Sequence, residues 1–239
     1  MIDWHSHILP KVDDGSENVS VSLEMLKIMS SQGVNKVVAT PHFFANDESV
    51  ESFLERRNNA YCKLEKALEE SKDLFGGLKA PEIIMGAEVK YYNGISRLAE
   101  LNKLAFQNRK LLMIEMSMSR WTEYTVKEIV ELSQNHSLTV IIAHVERYAS
   151  FQSFETMERL YESGVLMQVN SSFFTSFSTK RKAIKMLEQG DIHLIGSDCH
   201  NLTSRPPALK NAFDYIEKKM GENFTRHFNE FGDRIISIL

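Results

Sequence analysis

Residues 111–144 read LLMIEMSMSRWTEYTVKEIVELSQNHSLTVIIAH. Two short apolar runs, Leu111 to Glu115 and Thr139 to Ala143, flank a longer amphipathic segment over about 123–136, and a residue able to bind a cation closes each run: Glu115 the first, His144 the second. An apolar run, an amphipathic helix and a second apolar run make a βα unit of a parallel sheet, whose strands are covered on both faces. The same unit recurs on either side. Strands are expected at Ile2 to His7, Lys36 to Thr40, Glu82 to Ala87, Leu111 to Glu115, Thr139 to Ala143, Leu166 to Val169 and His193 to Gly196. Helices are expected near 18–32, 49–75, 96–108, 123–136, 153–163, 179–189 and 207–219, several stopped by a glycine such as Gly33, Gly164 or Gly190. The polar stretch from Phe43 to Ser52 carries no strand pattern and reads as a loop.

No linker, repeat or low-complexity block interrupts this rhythm, so one domain over 1–239 is expected. At 239 residues, 43% hydrophobic and 25% charged, the chain can bury a large core without disulfides or a structural metal. The sequence contains no apolar run of spanning length. MIDWHSH at the start has neither the basic nor the apolar region of a secretory signal, which predicts a cytoplasmic protein. The two cysteines, Cys62 and Cys199, agree with a reducing compartment. A net charge of -4 disfavours non-specific attraction to nucleic acid or an anionic membrane.

Polar residues at the ends of the expected strands point to chemistry. His5 and His7 close the first, His42 follows the second and Glu88 the third; Glu115, His144, Asn170 and then Asp198 with His200 follow the others. In parallel α/β folds, and in barrels above all, these ends converge on one face, where sites are built. His5 and His7 are two apart, so on an extended strand their rings point the same way. Alone, such a pair fits a hydrogen-bonded core as well as a metal site. With Asp14 in Asp13-Asp14-Gly15, with His42, His144 and His200, and with Glu88, Glu115 and Asp198, it becomes a set of nine candidate ligands, too many for one ion. Imidazole and carboxylate without thiolate suit zinc, manganese or iron, and bridging carboxylates suit two or three ions. His136, His193 and His227 lie outside the pattern and read as structural. Arg147 and Arg205 each follow a candidate ligand by a few residues; their planar forks match phosphate oxygens, although each taken singly also fits a surface ion pair.

Met1 to His7, Val12-Asp13-Asp14-Gly15, Ala39-Thr40-Pro41-His42, Gly86-Ala87-Glu88, Ala143 to Tyr148, Asn170-Ser171-Ser172, Ser197 to Asn201 and Ser204-Arg205-Pro206-Pro207 together resemble the bacterial PHP-domain protein-tyrosine phosphatases of the CpsB/YwqE type, within the polymerase and histidinol phosphatase superfamily. The motifs run from residue 1 to 207 in the family's order. The resemblance implies an α/β fold, a distorted (β/α)7 TIM-like barrel, with a trinuclear metal site at the C-terminal strand ends. It implies one ion on His5, His7 and Asp198 with Glu88 bridging, a second on Glu88, Glu115 and His144, and a third on Asp14, His42 and His200. Manganese is the implied metal, with iron or zinc as alternatives, and Arg147 and Arg205 hold the phosphate. The implied substrate is the tyrosine-rich C-terminal tail of a bacterial tyrosine kinase that controls capsule or exopolysaccharide synthesis. Trp4 departs from the family's pattern, where a smaller aliphatic is expected.

The chemistry expected of such a site is attack on phosphorus by a metal-activated hydroxide, with Asp198 or His200 available to protonate the leaving phenol. Cys199 and Arg205 also spell the C-x5-R of cysteine-dependent phosphatases. The intervening residues lack glycine, however, and a thiolate mechanism leaves Asp198 and His200 without a task. Substrate class is less legible. A small phosphomonoester such as histidinol phosphate presents the same group as phosphotyrosine, and the residues that would select a phenyl ring are to be sought among Phe43, Phe44, Tyr91, Trp121, Tyr148, Phe173 and Phe174. A non-catalytic binding module fits the arginines less well, because a structural metal site has no need of a phosphate clamp. No sequence feature specifies an oligomeric state.

Overall fold

Nine strands, all paired in parallel, form the centre of the computed structural model, which describes residues 1–135 and 138–238. They are β1 (Ile2–Ser6), β2 (Lys36–Ala39), β3 (His42–Phe43), β4 (Glu82–Met85), β5 (Glu88–Lys90), β6 (Leu111–Glu115), β7 (Thr139–Ile142), β8 (Leu166–Asn170) and β9 (Leu194–Gly196). One sheet has the order β1-β2-β4 and the other β3-β5-β6-β7-β8-β9. The two are continuous in course. Thr40 and Pro41 separate β2 from β3, and Gly86 and Ala87 separate β4 from β5, yet backbone bonds from Gly86 N to Ala39 O (2.8 Å) and from Glu88 N to Pro41 O (3.0 Å) carry the pairing across both breaks. The sheet curls until the residues after β9 reach β1: Asp198 N donates to His5 O (2.8 Å) and His7 N to Cys199 O (2.9 Å).

Around the sheet lie α1 (Val19–Ser31), α2 (Val50–Glu70), α3 (Glu123–Asn135), α4 (Phe154–Glu162), α5 (Ser172–Thr175), α6 (Lys180–Glu188), α7 (Leu209–Met220) and α8 (Glu222–Ile238). Side chains of Asn18, Ser49 and Ser153 accept the free amides that begin α1, α2 and α4. Gly33, Gly164 and Gly190, past the ends of α1, α4 and α6, have φ of 80°, 82° and 81°, the left-handed backbone that makes them stops. The strands alternate faces with period two. Leu111, Met113, Ile141, Ala143, Leu166 and Leu194 join one buried cluster with Phe106 and Ile236. Leu112, Ile114, Val140, Ile142, Met167, Val169 and Ile195 point the other way, into the larger core shared with Met25, Ile129, Leu160 and Leu187 of the helices. No helix among the described residues is long and apolar enough to cross a membrane.

The seven expected strands are found with ends shifted by up to two residues, and six of the seven expected helices are present. The helix expected over 96–108 is not formed. Two short 3-10 turns, Ile95–Arg97 and Leu101–Leu104, stand there instead. Amides inside the span are taken by neighbouring backbone instead of an i−4 carbonyl: Phe106 N donates to Leu111 O (2.8 Å) and Gln107 N to Met85 O (2.6 Å), while Glu128 of α3 accepts from Gly94 N (3.2 Å), Ser96 N (3.2 Å) and the Ser96 hydroxyl (2.8 Å) and fixes the start of the segment. Phe43, expected in a loop, is a buried strand residue paired with Val89, so only residues 44–49 connect β3 to α2. α2 stops at Glu70 rather than near 75, and α5 and α8 are additional to the seven expected helices. His136 lies outside the described residues.

Gly196 is the tightest point where the sheet supports the site. A Cβ there would stand 2.5 Å from His5 Cβ and 2.7 Å from His5 N. Gly196→Ala is expected to lower the urea midpoint of unfolding, at unchanged m, by the equivalent of roughly 1–3 kcal/mol of overpacking.

Candidate metal centre

The strand ends deliver the nine candidate ligands to one place. His5 belongs to β1 and His7 follows it; Asp14 is in the loop before α1; His42 opens β3, Glu88 opens β5 and Glu115 closes β6; His144 follows β7; Asp198 and His200 follow β9. Ligating atoms of His5, His7 and Asp198 lie within 4.8 Å of one another, as do those of His7, Asp14, His42 and His200, and those of His42, Glu88 and Glu115. Glu88 is central and 1% exposed. Its Oε1 accepts from His144 Nε2 at 2.8 Å, while Oε2 lies 3.2 Å from His5 Nε2, 3.4 Å from His7 Nε2 and 3.0 Å from His42 Nδ1. The grouping differs from the expected allocation in two respects. Glu115 gathers with His42 and Glu88, whereas His144 meets the opposite oxygen of Glu88, and His7 joins the Asp14, His42 and His200 group.

Electrostatics and unmet polar atoms fit a cation cluster. Burial by itself would raise the Glu88 carboxyl, but the charge of His5, the hydrogen bond from His144 and the close approach of His42 hold it well below its ordinary value. Burial would likewise lower His7, yet its hydrogen bonds to Asp13, Asp198 and Glu88 raise it well above the usual imidazole value; His5 is raised against burial by Glu88 and Asp198. Protons on these rings offset negative charge that divalent ions would otherwise offset. Burial lowers His144, and His200 is lowered to about 4 by burial, His7 and Arg205, so both present neutral nitrogens. Glu88 Oε2, His42 Nδ1 and His200 Nε2 are buried and make no well-aligned hydrogen bond among the described residues, although the first two face each other at 3.0 Å and the third lies 3.4 Å from Asp14 Oδ1, as atoms turned toward shared cations would be.

A surrounding layer fixes the ligands. Asp13 Oδ2 accepts from His7 Nδ1 (2.6 Å) and from His42 N (3.0 Å), and Oδ1 from Gly15 N (2.9 Å). Gln168 Oε1 lies 3.1 Å from His5 Nδ1 and accepts His144 N at 2.7 Å. The Tyr148 hydroxyl reaches His144 Nδ1 (3.2 Å), and Asn170 Nδ2 donates to Asp198 Oδ2 (2.7 Å). His144 and Asp198 have φ of 33° and 53°, a left-handed backbone costly for residues with a Cβ, and it persists because these bonds over-determine it. Asp13 and Gln168 escaped the sequence reading. Gln168 had a signal, as a polar residue two before Asn170 inside an apolar strand; nothing distinguished Asp13 from Asp14.

Arg147 and Arg205 converge on one carboxylate: Arg147 Nη2 lies 2.5 Å from Asp198 Oδ2, and Arg205 Nη2 lies 2.7 Å from Oδ1. Asp198 is 3% exposed while the arginines are 37% and 39% exposed, so the guanidiniums form the rim of the cluster. Cys199 is fully buried and its thiol is pushed well above the ordinary range by burial and by the charge of Asp3. The loop after it is no phosphate cradle either, for the amides of Thr203 and Arg205 both donate to Asn201 Oδ1 (3.0 Å each) and His200 N donates to Arg205 O (2.9 Å). Of the aromatics considered as selectors, Phe43, Trp121, Tyr148, Phe173 and Phe174 are buried. Tyr91 is tied to Glu128, and Phe44 alone is exposed, with its ring 5.5 Å from that of His42. Trp4 is buried against Gly232. His193 accepts from Met167 N, and His227 lies in α8, exposed, so neither joins the cluster.

The chain matches the family model for capsular polysaccharide synthesis, CpsB/CapC, over residues 1–235. It is 33% identical to the tyrosine-protein phosphatase CpsB of Streptococcus pneumoniae, covering 92% of this chain and 91% of that protein. Identity to the tyrosine-protein phosphatase YwqE of Bacillus subtilis is 26%, covering 99% and 91%. Among solved structures, one of the crystal structures of YwqE and CpsB, described as unique metal-dependent tyrosine phosphatases, superposes with a TM-score of 0.83 at 25% identity over 99% of this chain and 94% of that one.

Asp13 offers a test of the outer layer. Asp13→Asn keeps the shape but weakens the acceptor for His7 Nδ1, and it is expected to lower metal affinity by roughly 10–100-fold with the fold intact. Metal titration by calorimetry, with circular dichroism as the folding control, would show it; unchanged affinity would leave Asp13 a loop residue.

Proposed function

We propose, from the premise that the chain belongs to the CpsB/CapC family of capsular polysaccharide synthesis, that it is a metal-dependent protein-tyrosine phosphatase. The observation that carries this is the buried His, Asp and Glu cluster around Glu88, with ligand atoms inside that make no well-aligned hydrogen bond among the described residues and two arginines on its rim. The curled parallel sheet is read as a distorted (β/α)7 barrel and residues 1–239 as one domain. His5, His7, Asp14, His42, Glu88, Glu115, His144, Asp198 and His200 are assigned as ligands of a trinuclear cluster, with manganese the favoured ion. The proposed substrate is a phosphorylated bacterial tyrosine kinase of the capsule system, dephosphorylated at its tyrosine-rich tail in the cytoplasm.

Divalent ions held by these residues would lower the pKa of a bound water, so that a nucleophile is available at neutral pH, and would polarise the phosphoryl oxygens. Arg147 and Arg205 bind the remaining oxygens with guanidinium N–H groups that face solvent, and they neutralise charge as it spreads over the transferring group. A bond forms from a water oxygen to phosphorus as the bond from phosphorus to the tyrosyl oxygen breaks, giving inorganic phosphate and tyrosine. Asp198 and His200, as ligands of the ions, would spend their lone pairs on the metal, so their part in this reading is to hold and orient, with no need to protonate the phenol. A phenolate leaving group with a pKa of about 10 departs without that help and takes its proton from solvent.

Chelated protein is expected to lose hydrolysis of a phosphotyrosine peptide and to recover it on addition of manganese, with phosphoserine peptide and histidinol phosphate turned over more slowly. Preference for histidinol phosphate would move the assignment to a small-molecule phosphatase. Arg147→Ala and Arg205→Ala should each lower kcat/KM by roughly 10–1,000-fold with metal content unchanged. Cys199→Ser is expected to keep turnover within a few-fold of the parent; loss of activity at normal metal content and stability would reinstate a thiolate nucleophile.

A further inference from the structure

Away from the metal cluster, Phe177, Lys180, Arg181, Tyr215, Lys218 and Lys219 line an open cavity of about 620 Å3 between the α5–α6 connection and the second half of α7. Ser178 completes the lining; four of the seven are cations and none is acidic. Phe177 is 87% exposed, the most exposed of the large hydrophobic side chains among the described residues. Lys180 Nζ stands 5.2 Å from the centre of its ring and 5.7 Å from that of Tyr215, which Lys219 Nζ approaches to 5.9 Å from its own side. Lys210, earlier on α7, is paired with Asp214, whereas no carboxylate among the described residues lies within ion-pair distance of the four cavity cations.

Local requirements account for only half of this charge. Lys218 and Lys219 occupy the last turn of α7, where the helix dipole favours cations. Lys180, Arg181 and Lys182 occupy the first turn of α6, where it disfavours them, with no acid in that turn and no side-chain cap. Nor does the overall balance explain a purely cationic face, since the chain is net acidic at -4.

We propose that this flank is a docking surface for an acidic, aromatic-containing segment of the protein substrate; the proposal rests on the assignment of the chain as a protein phosphatase. Charge complementarity specifies the acidic residues, and the exposed rings with their covering ammonium groups offer stacking to an aromatic side chain. The concave form suits a peptide better than a flat bilayer. The position is also suitable. α5 begins two residues after Asn170, which binds Asp198, and α7 follows the loop that carries Arg205. From Leu209 to Lys218 is roughly 14 Å of helix rise, a length that an extended peptide covers in about four residues. A segment lying along α7 from this cavity would run toward the loop that carries Arg205.

The test uses the full chain, metal-loaded, and a quadruple charge reversal, Lys180→Glu with Arg181→Glu, Lys218→Glu and Lys219→Glu, beside the milder pair Lys218→Ala with Lys219→Ala. Turnover of p-nitrophenyl phosphate serves as the control for folding and metal content, and should be unchanged. A fluorescent random copolymer of glutamate and tyrosine, unphosphorylated, should bind the parent, weaken with salt, and bind the reversal at least tenfold more weakly. KM for an acidic phosphotyrosine peptide should rise about tenfold at unchanged kcat, with a smaller rise in the alanine pair. Equal copolymer binding by parent and variants would overturn the proposal, as would loss of binding to phosphatidylserine vesicles with peptide KM unaltered, which would make the flank a membrane contact. Patch-dependent copolymer binding by a parent that hydrolyses no phosphotyrosine would instead defeat the phosphatase assignment and, with it, the role of the bound segment as substrate.

Discussion

A carboxylate buried as completely as that of Glu88 has to be met by positive charge, and much of the molecule is arranged to meet it. Desolvation opposes its ionisation, and four imidazoles, from His5, His7, His42 and His144, surround it to restore the balance. These rings come from three separate segments of the chain, since His5 and His7 share β1 and its end, so only the convergence of parallel strand ends brings them within reach. The consequence extends outward. With Glu88, Asp13 and Asp198 ionised, the cluster holds more negative charge than neutral histidines can offset, and the protons drawn onto His5 and His7 compensate for part of it.

Rigidity follows from the same requirement. A cluster of like-charged oxygens is stable only when each is fixed against its counter-groups, and each fixing contact here comes from a second element. Asp13 ties His7 to the start of β3, Gln168 of β8 ties His5 to His144, and Asn170 of β8 holds Asp198. The left-handed backbone at His144 and Asp198 is the local cost of aiming both side chains inward. Gly196 belongs to this arrangement too, because only a residue without Cβ lets β9 pass so close to His5.

The sequence displays the parts of this arrangement that repeat and hides those that depend on single contacts. Strand periodicity is enough to put His5 and His7 on one face, and polar residues at successive strand ends are enough to gather nine candidate ligands. Which oxygen of Glu88 faces His144, and which of Asp13 and Asp14 turns toward His7, are set by side-chain torsions that leave no trace in spacing. The helix expected over 96–108 fails for a related reason: apolar residues at Ile95, Leu101, Leu104 and Phe106 satisfy burial in several backbone forms, and single backbone bonds from Phe106 to Leu111 and from Gln107 to Met85 select among them. Phe43 was hidden because a two-residue strand is too short for any period to show.

Asp198 links the two halves of the site. Through His5 and His7 it belongs to the ligand cluster, and through its two oxygens it holds Arg147 and Arg205 at the rim. Each guanidinium spends one nitrogen, Nη2, on that carboxylate and keeps the rest of its fork on the exposed side. An incoming tetrahedral dianion can therefore engage both arginines without displacing Asp198, so the forks are pre-positioned and lose little freedom on binding. A single arginine would bind phosphate as well as many surface residues do. Two arginines converging on one buried carboxylate put two cations side by side at the rim of the cluster. Under the proposed function, a terminal phosphoryl group, with three unsubstituted oxygens, has one more to offer those forks and the cluster beneath than a diester has.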